Sequence, residues 1–212
     1  MWHFLESLLE IILPKKERVV RIDTYSIADL AIEPREHESS GVRITTLMEY
    51  QTRAAADLIQ ALKYDGAEHA ATLLAESLAE YLREEIASLK SFSTKPIVLI
   101  PVPLHSSRVR ERGFNQVEII LNALPEEFKD GTLARILTDT LVRTRATAQQ
   151  TRLSRTERLN NVANAFTLLK PERIEGHHVI LIDDVTTTGA TLLEASRPFE
   201  EANITLLALA RA

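Results

Sequence analysis

The pattern of apolar positions along the chain predicts strands that alternate with helices. Three mostly apolar runs are typical of strands buried in a parallel sheet: IVLIPVP at 97–103, HVILI at 178–182 and NITLLALA at 203–210. Segments with helical spacing separate these runs. The alternation indicates an α/β fold with a central, mostly parallel sheet flanked by helices, in which ligands bind beyond the carboxyl ends of the strands.

Helical spacing predicts where the intervening helices lie. Segment 45–89 is predicted to hold two helices that meet at Gly66, because apolar residues recur there at i, i+3, i+4 and i+7. Further helices are predicted over 114–124 and 191–202. Pro198 removes one backbone hydrogen bond from the last of these, so we expect that helix to kink or to end early.

The first 44 residues have a different pattern. MWHFLESLLEIILPKK predicts an amphipathic helix that ends at Pro14 and packs on the domain or on a partner. RVVRI at 18–22 is β-like, and EPREHESSG at 33–41 is polar. We therefore divide the chain into a small N-terminal helix and appendage at 1–44 and a main domain at 45–212.

Composition narrows the class of protein. The 212 residues, 45% of them hydrophobic, suit one globular domain with a small appendage. A net charge of -5 argues against broad binding to nucleic acid or anionic lipid but leaves room for a local basic pocket. The absence of cysteine excludes disulfides and thiolate metal sites and fits a cytoplasmic protein. No apolar run reaches the roughly 18 residues that a membrane span needs, so no span is predicted.

The stretch VILIDDVTTTGATLLEA at 179–195 contains the strongest chemical signal. A turn with small hydroxyl residues before a helix directs backbone N–H groups at one point, which favours an anion such as phosphate. The acids Asp183 and Asp184 accept hydrogen bonds well from neighbouring sugar hydroxyls. The order therefore predicts a ribose 5-phosphate site, with the 5-phosphate bound by Thr186, Thr187, Thr188, Gly189, Ala190 and Thr191. The simpler interpretation is a pair of exposed acids followed by a threonine cap.

Arginines are concentrated in two other segments. Arg108, Arg110 and Arg112 fall within five positions, and five more arginines lie between 143 and 158. Such groups of cations favour a ligand that carries negative charge. A solvated basic face is the alternative for any one of them. Asn115, Gln149 and Gln150 are candidates to orient a ligand and equally to cap backbone groups.

The acid and threonine stretch resembles the phosphoribosyl diphosphate (PRPP) signature of type I phosphoribosyltransferases. With PVPLHSSRVRERGFNQ, RTRATAQQTRLSRTERLNNVANAF and LIQALKYDG, the chain from about 45 to 212 is similar to the ComF family of phosphoribosyltransferase-like proteins associated with bacterial competence. The resemblance implies that Asp183 and Asp184 are catalytic and hold the ribose hydroxyls, and that Mg²⁺ arrives with PRPP. It also implies that Val102, Pro103, Leu104 and His105 form the diphosphate loop and that 141–158 is the mobile loop that closes over the ligand. The arginines support this independently, because negative charge builds on a diphosphate leaving group as its bond to the ribose breaks. The residues expected to bind the diphosphate are Arg108, Arg112, Arg143, Arg145, Gln149 and Arg158.

Two departures from the family pattern bear on function. Purine-salvage relatives have an acid at the fifth position of the motif, whereas this chain has Thr187, so no general base is evident there. ComF-type proteins commonly carry a cysteine-rich zinc module near the N-terminus, which this cysteine-free chain cannot form, and no metal-ligating residues are predicted. The first departure argues against purine salvage and leaves an amine-type acceptor, another acceptor or ligand sensing open.

Three functions follow as alternatives. The first is a phosphoribosyltransferase that displaces diphosphate from PRPP onto an unknown acceptor. The second is a catalytically silent sensor of PRPP or a phosphoribosyl nucleotide, or a competence-related DNA-uptake factor. The third is a nucleic-acid protein that uses the arginines as a phosphate track. The expected partners are accordingly PRPP or a phosphoribosyl nucleotide, with weak single-stranded DNA and a second copy in a homodimer as further expectations.

Overall fold

A computed structural model of the chain describes residues 17–144, 165–199 and 202–212. Within these residues the main sheet has six strands in the order β1-β2-β8-β7-β3-β4, and a separate antiparallel pair joins β5 to β6. The strands are β1 Arg35–Ser39, β2 Val42–Glu49, β3 Ile97–Pro101, β4 Arg135–Ile136, β5 Leu141–Arg143, β6 Phe166–Leu168, β7 His178–Thr186 and β8 Asn203–Arg211.

The main sheet is parallel except at one edge. Strand β1 pairs with β2 antiparallel, while β2 with β8, β8 with β7, β7 with β3 and β3 with β4 are parallel pairs. The α-helices of the described residues are α1 Glu17–Ile22, α2 Arg53–Asp65, α3 Glu68–Phe92, α4 Ser106–Arg112, α5 Gln116–Asn122 and α6 Ala190–Ser196.

Apolar side chains form a core layer on each face of this sheet. Alternate strand residues such as Leu99 and Ile180 pack with α2, α3 and α5 on one face. Their neighbours in sequence, such as Val98 and Leu181, pack with α6 and the β5–β6 pair on the other. Because successive side chains of a strand point to opposite faces, these apolar runs fill both layers.

These elements confirm the predicted fold class of a mostly parallel α/β sheet flanked by helices. The three apolar runs are β3, β7 and β8. The two predicted helices do meet at Gly66, which ends α2 in the left-handed conformation with φ 62°. The last helix ends early as expected, since α6 stops at Ser196 and a 3-10 turn, Arg197–Phe199, follows with Pro198 inside it.

Other predictions about the N-terminal third were wrong. RVVRI is helical rather than a strand and forms most of α1. The residues just after 44 are strand rather than helix, because β2 extends to Glu49. The predicted boundary at residue 44 therefore falls inside β2, and residues 35–49 form two strands of the main sheet. Helix α4, in the middle of the chain, was not predicted either, since none of its residues is buried and no apolar spacing marks it.

Side-chain bonds attach α1 to the helix that follows the hairpin. The Arg21 guanidinium donates to both carboxylate oxygens of Asp57 on α2, at 2.9 and 3.0 Å. The Tyr25 hydroxyl donates to the same carboxylate at 3.0 Å. Ile22 is fully buried in the core layer that contains α2. Helix α1 is thus packed on the domain through Arg21 and Ile22.

In the described ranges, none of the helices combines the length and the apolar character that crossing a bilayer would require. The predicted N-terminal helix up to Pro14 and most of the predicted mobile loop lie outside the described residues.

Candidate functional site

A cavity of about 640 Å³ opens where four parallel strands end. Tyr50 follows β2, Val102 follows β3, Asp183 and Asp184 lie near the end of β7, and Ala212 follows β8, and all five line the cavity. This is the edge at which parallel α/β sheets bind their ligands. The cavity therefore brings both sequence motifs, the loop after β3 and the acids of β7, to one place.

The two acids lie side by side at the cavity wall. The backbone N–H of Asp184 donates to the Asp183 carboxylate at 2.9 Å, and that of Val185 donates to the Asp184 carboxylate at 2.6 Å. The Lys63 ammonium, from α2, lies 2.7 Å from the other oxygen of Asp184. Both partners of this pair are largely buried, with side chains 19% and 17% exposed. Lys63 was not predicted as a site residue, although it belongs to the quoted LIQALKYDG motif.

Burial and neighbouring charges shift the pKa values of this group. Burial, and then the Asp184 carboxylate, raise the pKa of Asp183 to about 7, against the opposing effects of Lys63 and Arg143. Burial lowers the pKa of Lys63, but the two carboxylates outweigh burial, so the pKa of Lys63 is raised overall. Lys63 therefore remains charged and holds a permanent counter-charge beside the acids.

The predicted 5-phosphate residues form a tight turn at 186–191, called the threonine loop from here on. Thr187 and Thr191 line the cavity. The N–H of Gly189 donates to the Thr186 hydroxyl oxygen at 3.0 Å, and the N–H of Ala190 is 3.4 Å from the Thr188 hydroxyl oxygen. The loop thus presents two threonines to the cavity while two of its amides are bonded within the turn.

The β1–β2 hairpin supports the threonine loop from behind. The Ser39 hydroxyl donates to the backbone carbonyl of Thr188 at 2.6 Å. Gly189 has a φ of +79°, and a Cβ at this position would collide with the Ile44 side chain of β2. Close packing and left-handed backbone together require glycine here.

The loop after β3 only partly matches the prediction. Val102, Pro103 and Leu104 line the cavity, and the Val102 N–H donates to the carbonyl of Ile182 on β7 at 2.8 Å. His105 is not among the lining residues. Its ring nitrogen Nδ1 instead accepts from the Ser107 N–H at 3.2 Å and caps α4.

Three of the predicted arginines line the cavity, namely Arg108, Arg112 and Arg143. The Arg112 guanidinium lies over the Tyr64 ring at 5.6 Å, and that of Arg143 over the Phe166 ring at 5.2 Å. Burial, followed by the charge of Arg108, lowers the pKa of Arg143. The predicted Arg145, Gln149 and Arg158 lie outside the described residues.

The cavity is positive although the chain is negative. Among the described residues its lining contains four cations, Lys63 and the three arginines, and two carboxylates. These side chains carry a formal net charge of +2, whereas the whole chain carries -5. A concave positive region on a negative molecule favours an anionic ligand.

Sequence reasoning missed the wall that α2 and its neighbours build. Lys63, Gln60 and Tyr64 reach the cavity from α2, and the Gln60 side-chain amide donates to the Tyr50 hydroxyl at 3.1 Å. Gln116, at the start of α5, also lines it. The stretches LIQALKYDG and PVPLHSSRVRERGFNQ contain these residues and contribute to the family resemblance. Helical periodicity alone does not distinguish them from other helical positions.

A family model described as phosphoribosyl transferase domain matches residues 68–210. The chain belongs to this family. The matched range contains the loop after β3, both acids and the threonine loop. Helix α2 and the β1–β2 hairpin precede the matched range. Part of the cavity wall is therefore built by residues outside the match.

Curated relatives refine this membership. The chain is 34% identical to the DNA utilization protein YhgH of Salmonella typhi over 126 residues, which cover 58% of the chain and 53% of the relative. It is 35% identical to the competence protein ComFC of Bacillus subtilis over 108 residues (51% and 40%), and 36% identical to the competence protein F of Haemophilus influenzae over 103 residues (48% and 43%). The matches thus span about half of these relatives' length. They confirm the resemblance to the ComF family of type I phosphoribosyltransferase-like proteins.

Proposed function

We propose that the protein binds PRPP in the cavity and transfers its phosphoribosyl group to an acceptor with release of diphosphate. The observation that carries this proposal is that paired acids, threonine loop and three arginines line one cavity at the carboxyl edge of the sheet. These groups match the three parts of PRPP. The carboxylates suit ribose hydroxyls, the threonine loop suits the 5-phosphate, and the arginines suit the diphosphate.

The proposed reaction breaks the bond between ribose C1 and the diphosphate oxygen. The electron pair leaves with diphosphate, whose growing negative charge Arg108, Arg112 and Arg143 stabilise. The sugar becomes oxocarbenium-like, and Asp183 and Asp184 hold its hydroxyls in place. The acceptor then bonds to C1 through its lone pair and loses a proton to water.

Mg²⁺ is expected to accompany PRPP. Carboxylate and phosphate oxygens are the ligands that Mg²⁺ prefers, and the Asp183 and Asp184 side chains at the cavity wall fit that preference. The ion would neutralise diphosphate charge when bound. Lys63 already supplies one fixed positive charge to Asp184.

The acceptor is expected to be a nucleophile that needs no general base at the threonine loop. Thr187 stands there, lines the cavity and is exposed. A threonine hydroxyl does not accept a proton at neutral pH, so an amine that reacts in its neutral form fits better than a purine ring nitrogen.

A catalytically silent sensor is the second candidate. The Lys63–Asp184 ion pair favours it, because an acid that already has a buried counter-charge is less available to a reacting sugar. The names of the relatives, DNA utilization protein and competence protein, support a role linked to DNA uptake in either case. We also propose a cytoplasmic location and a homodimer.

Isothermal titration with PRPP and a diphosphate-release assay over a panel of amine and nucleobase acceptors test these proposals together. Micromolar PRPP binding with release for at least one acceptor supports the transferase. Binding without release for every acceptor supports the sensor. Absence of PRPP binding with and without Mg²⁺ contradicts both. The paired variant Asp183→Asn with Asp184→Asn is expected to abolish binding while thermal unfolding stays cooperative.

A further inference from the structure

Gln116 is a buried amide with an unused hydrogen-bond donor. The residue is 2% exposed, and its Nε2 has no hydrogen-bond partner among the residues that the structure describes. Native proteins rarely leave a buried donor unsatisfied, because the group loses its hydrogen bonds to water on burial and gains none in the protein. Gln116 also lines the cavity described above. A ligand in that cavity is the missing partner that its position suggests.

The neighbouring residue fixes where this amide lies. Asn115 caps α5 by accepting the Val117 N–H at 3.1 Å, and its own amide donates to the carbonyl of Val102 at 3.1 Å. Val102 is the first residue of the predicted diphosphate loop. The Asn115 side chain therefore holds the start of α5 against that loop. The side-chain amide of the adjacent Gln116 makes no such bond within the described residues.

The surrounding charges indicate what the amide would bind. Arg108 and Arg112 of α4 and Arg143 of β5 line the same cavity. A neutral N–H donor that shares a cavity with cations is suited to an anionic oxygen, which the arginines attract and the amide can orient. An amide adds this contact without adding charge.

We propose that Gln116 is a ligand-binding residue whose Nε2 donates a hydrogen bond to an oxygen of the diphosphate group of PRPP. The assignment rests on the proposed function, because it takes PRPP as the ligand. It adds to the predicted arginines a residue that no motif argument singled out. Ribose 5-phosphate, which lacks the diphosphate, would not use this contact.

Gln116→Leu tests the assignment, because leucine keeps most of the volume and removes both polar atoms. The variant is expected to bind inorganic diphosphate and PRPP about 10- to 100-fold more weakly, the size of one hydrogen bond to a charged group. Its affinity for ribose 5-phosphate is expected to stay unchanged. Its melting temperature is expected to stay equal or to rise, since the unsatisfied donor is gone. Isothermal titration and thermal unfolding measure these quantities.

Two variants serve as controls for the measurements. Gln60→Leu removes an amide from the same cavity that does have a partner, Tyr50, and is expected to lower the melting temperature. Gln51→Leu changes an exposed glutamine outside the cavity and is expected to alter neither quantity. Gln116→Glu keeps the shape but adds negative charge, so it should weaken diphosphate binding more than Gln116→Leu does.

The outcomes separate this inference from the proposed function. If the unaltered protein binds neither PRPP nor diphosphate, both fail. If it binds them and Gln116→Leu binds equally well, only the role of Gln116 fails. If Gln116→Leu lowers the melting temperature and weakens ribose 5-phosphate and diphosphate alike, Gln116 is a structural residue and the inference is overturned.

Discussion

Protonation of Asp183 links the proposed site to pH. Burial beside Asp184 raises the pKa of Asp183 to about 7, and only the carboxylate accepts hydrogen bonds from both ribose hydroxyls. PRPP affinity is therefore expected to fall by up to about tenfold per pH unit below 7. Titration calorimetry from pH 5.5 to 8.5 measures this dependence. Since phosphate groups also titrate near pH 6, Asp183→Asn provides the profile of the ligand alone.

The same shift has a consequence for folding with a defined sign. The unfolded chain releases the Asp183 proton near pH 4, whereas the folded protein keeps it until about 7. The contribution of Asp183 to the free energy of unfolding is thus fully present below pH 4 and declines as pH rises to 7. Asp183→Asn should remove this decline. Urea unfolding that shows the same slope for both proteins would contradict the raised pKa.

Lys63 is the residue that makes the paired acids tolerable in the fold. Lys63→Met leaves two neighbouring carboxylates without their buried cation, so we expect a loss of about 1–3 kcal/mol in the free energy of unfolding at pH 8. The pKa of Asp183 should also rise in this variant, because Lys63 lowers it in the unaltered protein. Arg43→Met, in an exposed pair with Glu36 at 3.4 Å, is the control and should change stability by less than about 1 kcal/mol.

The sequence reveals the acids but not their lysine. Asp183 and Asp184 stand out because two charges follow a buried apolar run. Lys63 lies on an amphipathic helix, where charged residues are ordinary. Only the contact between α2 and β7, distant in sequence, distinguishes it from a surface lysine. Gln116 escaped notice for the same reason, as burial is a property of the folded chain.

At the scale of elements, the hairpin and the threonine loop form one unit. Gly189→Ala meets two costs, a left-handed φ and a collision with Ile44. Gly176→Ala is a matched control, because Gly176 has a φ of +73° with nothing within 4 Å of an added Cβ. We expect the first variant to lose about 1–3 kcal/mol more than the second in urea unfolding. It should also bind ribose 5-phosphate more weakly, and equal losses in the two variants would contradict close packing at the loop.

Which elements the sequence predicts depends on how much of each is buried. Strands β3, β7 and β8 are central and apolar, so their runs identify them. Strand β1 is an edge strand of sequence REHES with mostly exposed side chains, and no apolar pattern marks it. RVVRI misled because its two valines favour strands, yet the segment is a single helical stretch that buries Ile22. Tertiary packing overrides local propensity in so short a segment.

At the scale of the whole molecule, charge limits contact with nucleic acid. The chain is negative overall, and the cationic side chains of the site, among the residues that the structure describes, lie in a cavity. Single-stranded DNA binding is therefore expected to be weak and to fall with salt, with a log–log slope near -2 if the three cavity arginines each neutralise one phosphate. Fluorescence anisotropy of labelled single-stranded DNA, measured from about 50 to 300 mM salt, tests this salt dependence.

A matched pair of variants locates any such DNA contact. Arg112→Gln removes a cavity arginine, whereas Arg110→Gln removes an exposed arginine of the same helix that does not line the cavity. Only the first should reduce the salt slope, and PRPP should compete with the DNA. Tight binding that does not respond to salt would point to a different surface.

The hairpin support of the threonine loop also affects how this protein can be divided or recombined. The family match begins at residue 68, after β2 has ended, yet Ser39 and Ile44 form the back wall of the loop that the match contains. A chimera that grafts the matched range onto a foreign N-terminal portion would exchange that wall. The grafted domain would retain every signature residue and still receive an altered phosphate turn.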